Sequence, residues 1–183
     1  VGTSGSRKGT GDLVEVFAAA LRSGVVPEDM DLCIVGCRPP SQTPYTRDLL
    51  RRIWQADLHG RVRLVGAVPP AALDAYYERA ILYVQASTME CLPLALLSAM
   101  SHGLPIVTTD AGGCAEAVID GLSGLVVPAR SPARLLEAVL RLLRDPAEAA
   151  RFGEAARARF DTVFAREVTE GPLLDLLLDD GRG

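Results

Sequence analysis

The sequence predicts an α/β domain in which a parallel sheet is covered by helices on both faces. Three observations carry that reading. Short apolar runs alternate with segments of helical spacing along most of the chain. Several of these runs close at a glycine or proline, as a buried strand does before a helix. One helical segment, Pro93 to His102, is apolar almost all round and so belongs inside the domain. Strands that alternate with helices pair in parallel and are buried on both faces.

In order, Val1-Gly2 reads as the last step of a strand. Asp12 to Ser23 has helical spacing, with Gly24 as its stop. Leu32 to Val35 is a strand ending at Gly36, and the loop from Cys37 to Pro44 carries three prolines. A helix follows from Thr46 to Leu58, then a strand from Val62 to Val65 closed by Gly66. Pro70 opens the next helix, which ends near Ala80. Ile81 to Gln85 is a strand, and the apolar helix from Pro93 is stopped by Gly103 and Pro105. Ile106 to Thr109 is a strand, Gly113 to Ile119 a short helix, and Leu125 to Val127 a strand closed by Pro128. Helices Pro132–Arg144 and Pro146–Phe160 follow. A last helical stretch, Val163 to Leu178, is interrupted by Gly171-Pro172. The domain is expected to span 1–160, its first strand cut short, with 161–183 as a helical tail.

The 183 residues suffice for one domain with a real core, and 49% hydrophobic against 23% charged residues fit an ordinary globular protein. A net charge of −4 argues against a general nucleic-acid surface, which needs positive patches. No apolar run is long enough for a membrane span, and VGTSGSRKG does not read as a signal peptide. Cys33, Cys37, Cys91 and Cys114 form no C-x-x-C pair, so no metal site is expected, and scattered free thiols suit a reducing cytoplasm. Among the 19 basic residues the single lysine is Lys8. It reads either as a site needing a compact point charge or as a chance survivor among arginines.

In such a sheet a ligand lies beyond the carboxyl ends of the strands. The loops to search are therefore 2–11, 36–45, 66–69, 86–93 and 110–114. The first, Gly2 to Gly9, combines small residues with Arg7 and Lys8 just before a helix N-terminus. That suits a phosphate cradle, and suits a basic terminus equally. It is not a Walker loop, since Arg7 precedes the lysine where glycine is required and Gly9 follows it where Ser or Thr is required. In Ser87 to Pro93, Glu90 can accept hydrogen bonds from sugar hydroxyls, or it can simply serve the helix dipole. Asp110-Ala111-Gly112-Gly113 is a glycine-rich turn, with Glu116 in the first turn of the helix it opens.

The stretch ECLPLALLSAMSHGLPIVTTDAGGCAEAVIDGLSGLVVP resembles the signature segment of the family 4 retaining glycosyltransferases. RKGTGDLVEVF resembles that family's phosphate-loop lysine and the helix after it, and LVGAVPPAALDAYYERAILYVQAS the stretch between. The resemblance runs from residue 1 to about 160. It implies a GT-B architecture of two Rossmann-like domains, of which this chain matches the second, donor-binding one. It implies that Lys8 binds the diphosphate and Glu90 the donor sugar, the two residues expected to matter for catalysis. Gly2, Arg7, Leu92, Pro93 and Leu94 would face the sugar and phosphates, and Val68, in the loop from Gly66 to Pro69, would border the base. No metal and no cofactor beyond the nucleotide-sugar donor is implied. The acceptor, and any peripheral membrane association, would belong to an N-terminal domain absent here, without which no transfer is expected.

Two positions depart from the family. Thr3 stands where an arginine is common, and Arg7 is the nearby substitute. Ser98 stands eight residues after Glu90, where a second glutamate holds the ribose. A serine cannot accept two hydrogen bonds as a carboxylate does. It either makes one such bond or turns back onto its helix. These departures favour a second reading, a non-catalytic regulatory or scaffolding relative. An epimerase would need an acid–base pair, for which only Glu90 and His102 are on offer.

Overall fold

The computed structural model describes residues 6–37, 43–165 and 168. Gly2, Thr3, Pro39, Pro40 and the tail expected beyond Ala165, Val168 apart, lie outside the described residues. The elements in order are α1 (Thr10–Arg22), β1 (Leu32–Val35), α2 (Pro44–Gln55), β2 (Val62–Val65), α3 (Pro70–Glu78) and β3 (Tyr83–Gln85). Then come α4 (Leu94–Ser101), β4 (Ile106–Thr109), α5 (Gly113–Ala117), β5 (Leu125–Val127), α6 (Pro132–Arg144) and α7 (Pro146–Arg159).

Every ladder is parallel. Leu32 stands opposite Val62, Tyr83 opposite Ile106 and Val107 opposite Leu125. The described strands fall into two groups, β1-β2 and β3-β4-β5, where the sequence suggested one sheet. In a doubly wound sheet of order 3-2-1-4-5-6 the first strand lies between the second and the fourth. Val1 and Gly2, read as the end of that strand, are outside the described residues; β1-β2 and β3-β4-β5 match the 3-2 and 4-5-6 parts of that order.

Several boundaries move for local reasons. α1 begins at Thr10 rather than Asp12. Its uncapped N-terminus takes a partner from another helix, the Tyr45 phenol oxygen, which accepts the Gly11 N–H at 3.2 Å. α2 begins at Pro44 because Thr43 Oγ1 accepts the Thr46 N–H and proline suits the first helical turn. It ends at Gln55, not Leu58, because Asp57 takes the left-handed conformation usually left to glycine (φ 55°). The Leu58 N–H then bonds Ile53 O and the Asp57 N–H bonds Trp54 O, which together close the helix end. β3 is shorter than expected, with Ile81 exposed ahead of it, and α5 stops before Ile119. α7 runs straight into a π-helical turn, Phe160–Phe164, whose Phe160 and Phe164 pack on the core.

β4 is buried along its whole length, as a central strand covered on both faces must be. α4 packs on it through Leu96, Ala99 and Met100. On the other side, Leu135, Ala138, Val139 and Leu142 of α6 form a stripe at three- and four-residue spacing. A third cluster joins Val14, Phe17 and Ala18 of α1 to Ile34, Leu49, Ile53 and Val62. The layers leave the carboxyl ends of β3 and β4 facing the segment that leads into α1.

Candidate functional site

The segment 7–9 runs across the end of β3. Arg7 O accepts the Thr88 N–H at 2.7 Å. Gly9 lies so close to Ala86 that a Cβ there would stand 2.0 Å from Ala86 O, and its φ of 61° is itself in the left-handed region. This approach carries Lys8 to Glu90, 82 positions away in sequence, with Nζ 2.6 Å from Oε1. The glycine turn after β4 closes from the other side. A Cβ on Gly112 would meet Glu90 O at 2.0 Å, and one on Gly113 would meet Cys91 O at 1.7 Å. The small residues of both loops thus let three backbone segments converge on one lysine–carboxylate pair.

Glu90 rests on a buried polar row. Ser87 Oγ donates to Glu90 Oε1 at 2.6 Å, and Gln85 Nε2 reaches Ser87 Oγ at 3.3 Å. The Tyr83 hydroxyl donates to Gln85 Oε1 at 2.8 Å. Burial holds the Tyr83 phenol well above its ordinary pKa, so it stays protonated and remains a donor. Thr109 Oγ1 donates to Ser87 O at 2.6 Å, tying β4 to the loop. Sequence reasoning missed this row. Its signal was three polar-tipped residues at alternate positions, Tyr83, Gln85 and Ser87, hence on one face of the strand just before Glu90.

The other expected residues distribute as follows. Pro93 is buried at the N-cap of α4, while Leu92 and Leu94 are exposed at its mouth. The first N–H groups of α4 have no side-chain cap. Arg7 is exposed and lines a groove of about 440 Å³ with Asp12, Thr88, Arg130 and Pro132; Arg130 was not singled out from the sequence. Val68 is half-buried in the loop between β2 and α3, on the other flank of the sheet. The Tyr77 hydroxyl donates to Ala95 O at 3.1 Å, its pKa is pushed up to about 12 mainly by burial, and Ser98 O accepts from His102 Nδ1 at 2.7 Å. His102 itself stacks on Tyr77 at the far end of α4, roughly 12 Å along the helix from its start. That removes it as an acid–base partner for Glu90. None of the four cysteines is in a disulfide. Among the described residues no cluster of His, Cys, Asp or Glu could hold a metal ion, and no helix is long and apolar enough to cross a membrane.

Comparisons with known proteins show the family and the fold. A family model for glycosyl transferases group 1 matches residues 1–159. The chain is 35% identical over 130 residues to the lipopolysaccharide core biosynthesis mannosyltransferase LpcC of Rhizobium leguminosarum, covering 69% of this chain and 36% of that protein. It superposes on the C-terminal domain of a group 1 glycosyl transferase, LpcC of Francisella tularensis, with TM-score 0.82 at 20% identity, covering 91% of this chain and 84% of that one. It superposes on Anabaena HepE, solved in complex with UDP-glucose, with TM-score 0.84 at 21% identity, covering 96% of this chain and 47% of that one. The protein belongs to the group 1 glycosyl transferases and has the fold of the C-terminal half of a GT-B enzyme. The chain spans about a third of the length of the curated relatives it matches.

Proposed function

We propose that this chain is the donor-binding half of a retaining glycosyltransferase that moves a hexosyl group from a nucleoside-diphosphate sugar to an acceptor. The observation that carries the reading is the Lys8–Glu90 pair beneath the uncapped start of α4. An ammonium has three donors. One is engaged by Glu90, which leaves two for a diphosphate, while the carboxylate accepts from a sugar hydroxyl. The free N–H groups of α4 and its dipole favour the same diphosphate. Arg7 supports the charge, and Gly2, Leu92, Pro93 and Leu94 border the sugar and phosphates. Val68 borders the base. The acceptor and the opposite cleft wall come from an N-terminal domain, so the chain alone transfers no sugar. Thiols outside any disulfide suit a cytoplasmic setting. UDP-glucose bound to HepE makes UDP-sugars the first donors to try.

The deciding experiment is titration calorimetry of the chain against UDP, GDP and ADP and their sugars. One of these pairs is expected to bind. Leaving-group charge is met here by Lys8 and a helix terminus, so binding should survive EDTA unchanged. Loss of binding on chelation, restored by Mg²⁺ or Mn²⁺, refutes the metal-independent part. One observation favours a second reading, a regulatory domain without catalysis: Ser98 stands where a carboxylate is expected, and a serine cannot accept two hydrogen bonds as a carboxylate does. Failure of every nucleotide to bind a folded sample would select that reading.

A further inference from the structure

Glu90 is held by more than its lysine. Both Lys8 Nζ and Ser87 Oγ converge on the same oxygen, Oε1, each at 2.6 Å. Among the described residues Oε2 accepts no hydrogen bond. One carboxylate oxygen is therefore clamped and the other is left to accept.

The clamp has a fixed direction. The Glu90 carboxylate can only accept, so Ser87 Oγ directs its one proton to it and takes the Gln85 amide as its donor, which leaves Gln85 Oε1 to accept from the Tyr83 hydroxyl. That sets the Gln85 amide with its NH₂ toward Ser87 Oγ and the Cys114 sulfur, 3.4 Å from Nε2. Ser87 Oγ, already accepting from Gln85, points its single proton at Glu90. Tyr83, Gln85 and Ser87 are all buried, Ser87 completely. Burying a hydroxyl and an amide is costly unless each is satisfied. Here each is satisfied by the next, and the row ends on the one carboxylate of the site. A threonine hydroxyl from β4 fixes the backbone at Ser87, so the row cannot slide.

We infer that Ser87, oriented by Gln85 and Tyr83, is a positioning residue that immobilises Glu90 Oε1 so that Oε2 is presented to a hydroxyl of the donor sugar. The inference rests on the donor-binding reading above. It assigns discrimination between a nucleotide sugar and the bare diphosphate to a serine on the strand side of the site. Lys8, by contrast, serves both ligands.

The test compares Kd values for UDP-glucose with UDP, GDP-mannose with GDP, and ADP-glucose with ADP, using the pair that wild type binds. Ser87→Ala is expected to weaken the nucleotide sugar roughly tenfold while leaving the diphosphate within about twofold. Ser87→Thr keeps the hydroxyl and should restore the preference for the sugar. Ser87→Cys keeps the volume with a weaker donor and should reproduce the alanine loss even where alanine fails to fold. Equal weakening of both ligands, or none, overturns the inference and leaves the donor-binding reading standing. If wild type binds neither member of any pair, the donor-binding reading itself falls, and this inference with it.

Discussion

Lys8→Ala is expected to weaken binding of the nucleoside diphosphate and of its sugar alike, by roughly ten- to hundredfold, the usual range for losing a hydrogen bond to a charged group. The lysine side chain is 34% exposed and its partner Glu90 only 10%, so the ammonium stands at the mouth and the carboxylate behind it. Removal costs the ligand a cation and leaves Glu90 to Ser87 alone. Lys8→Arg should rescue only in part, because a planar guanidinium is bulkier than the ammonium and Glu90 already occupies one side of it. Calorimetry beside a melting curve checks both variants. An unchanged Kd in a folded Lys8→Ala sample means that segment 7–9 is a basic turn with no ligand.

The second large effect is on stability. At Gly113 an added methyl would stand 1.7 Å from Cys91 O and 3.1 Å from the Leu92 Cα, both backbone atoms that no rotamer change can clear. The glycine turn must then back away from the loop after β3, giving up the Gly113 N–H to Glu90 O contact at 3.4 Å. Gly113→Ala should cost about 3 kcal/mol or more, at or above the top of the usual overpacking range. That corresponds to a fall in Tm of roughly 10 °C for a domain this size. Gly60→Ala is the control, since a Cβ there meets nothing within 4 Å. Its Tm should move little. If the two variants melt together, the close approach of the two loops is wrong.

How much of this could be read from the chain varies with the kind of signal. α6 is bounded as the residues suggest, because Pro132 opens it and its apolar stripe repeats at helical spacing. The boundaries of α2 were hidden, since Thr43 caps it from outside the periodic segment and Asp57 ends it in a glycine-like conformation. Likewise α1 starts early only because a phenol from another helix meets its first turn, and no local pattern records that. Lys8 and Glu90 were legible as loop residues at the ends of strands. Their contact across 82 positions was not, because it depends on three backbone segments meeting through Gly9, Gly112 and Gly113. By pattern alone Gln85 ends a strand and Ser87 lies in the loop after it, and only the fold joins them in one buried row.

The division of the described ladders into two flanks has a mechanical consequence, because α1 is mounted on both. Val14, Phe17 and Ala18 key it to the side of β1 and β2, and Val16 keys it to the side of β4 and β5. Its front end carries Lys8, and that end is pinned by Tyr45, which belongs to the first side. Glu90 and its polar row belong wholly to the second. The cation rides on both foundations, since Arg7 O also takes the Thr88 N–H at 2.7 Å, and the carboxylate on one. A fluctuation that loosens β1, β2 and α2 frees the phenol from Gly11, while the Arg7–Thr88 bond keeps Lys8 beside the carboxylate. Amide exchange in the first flank should accordingly run ahead of exchange at the Thr88 N–H and in β4.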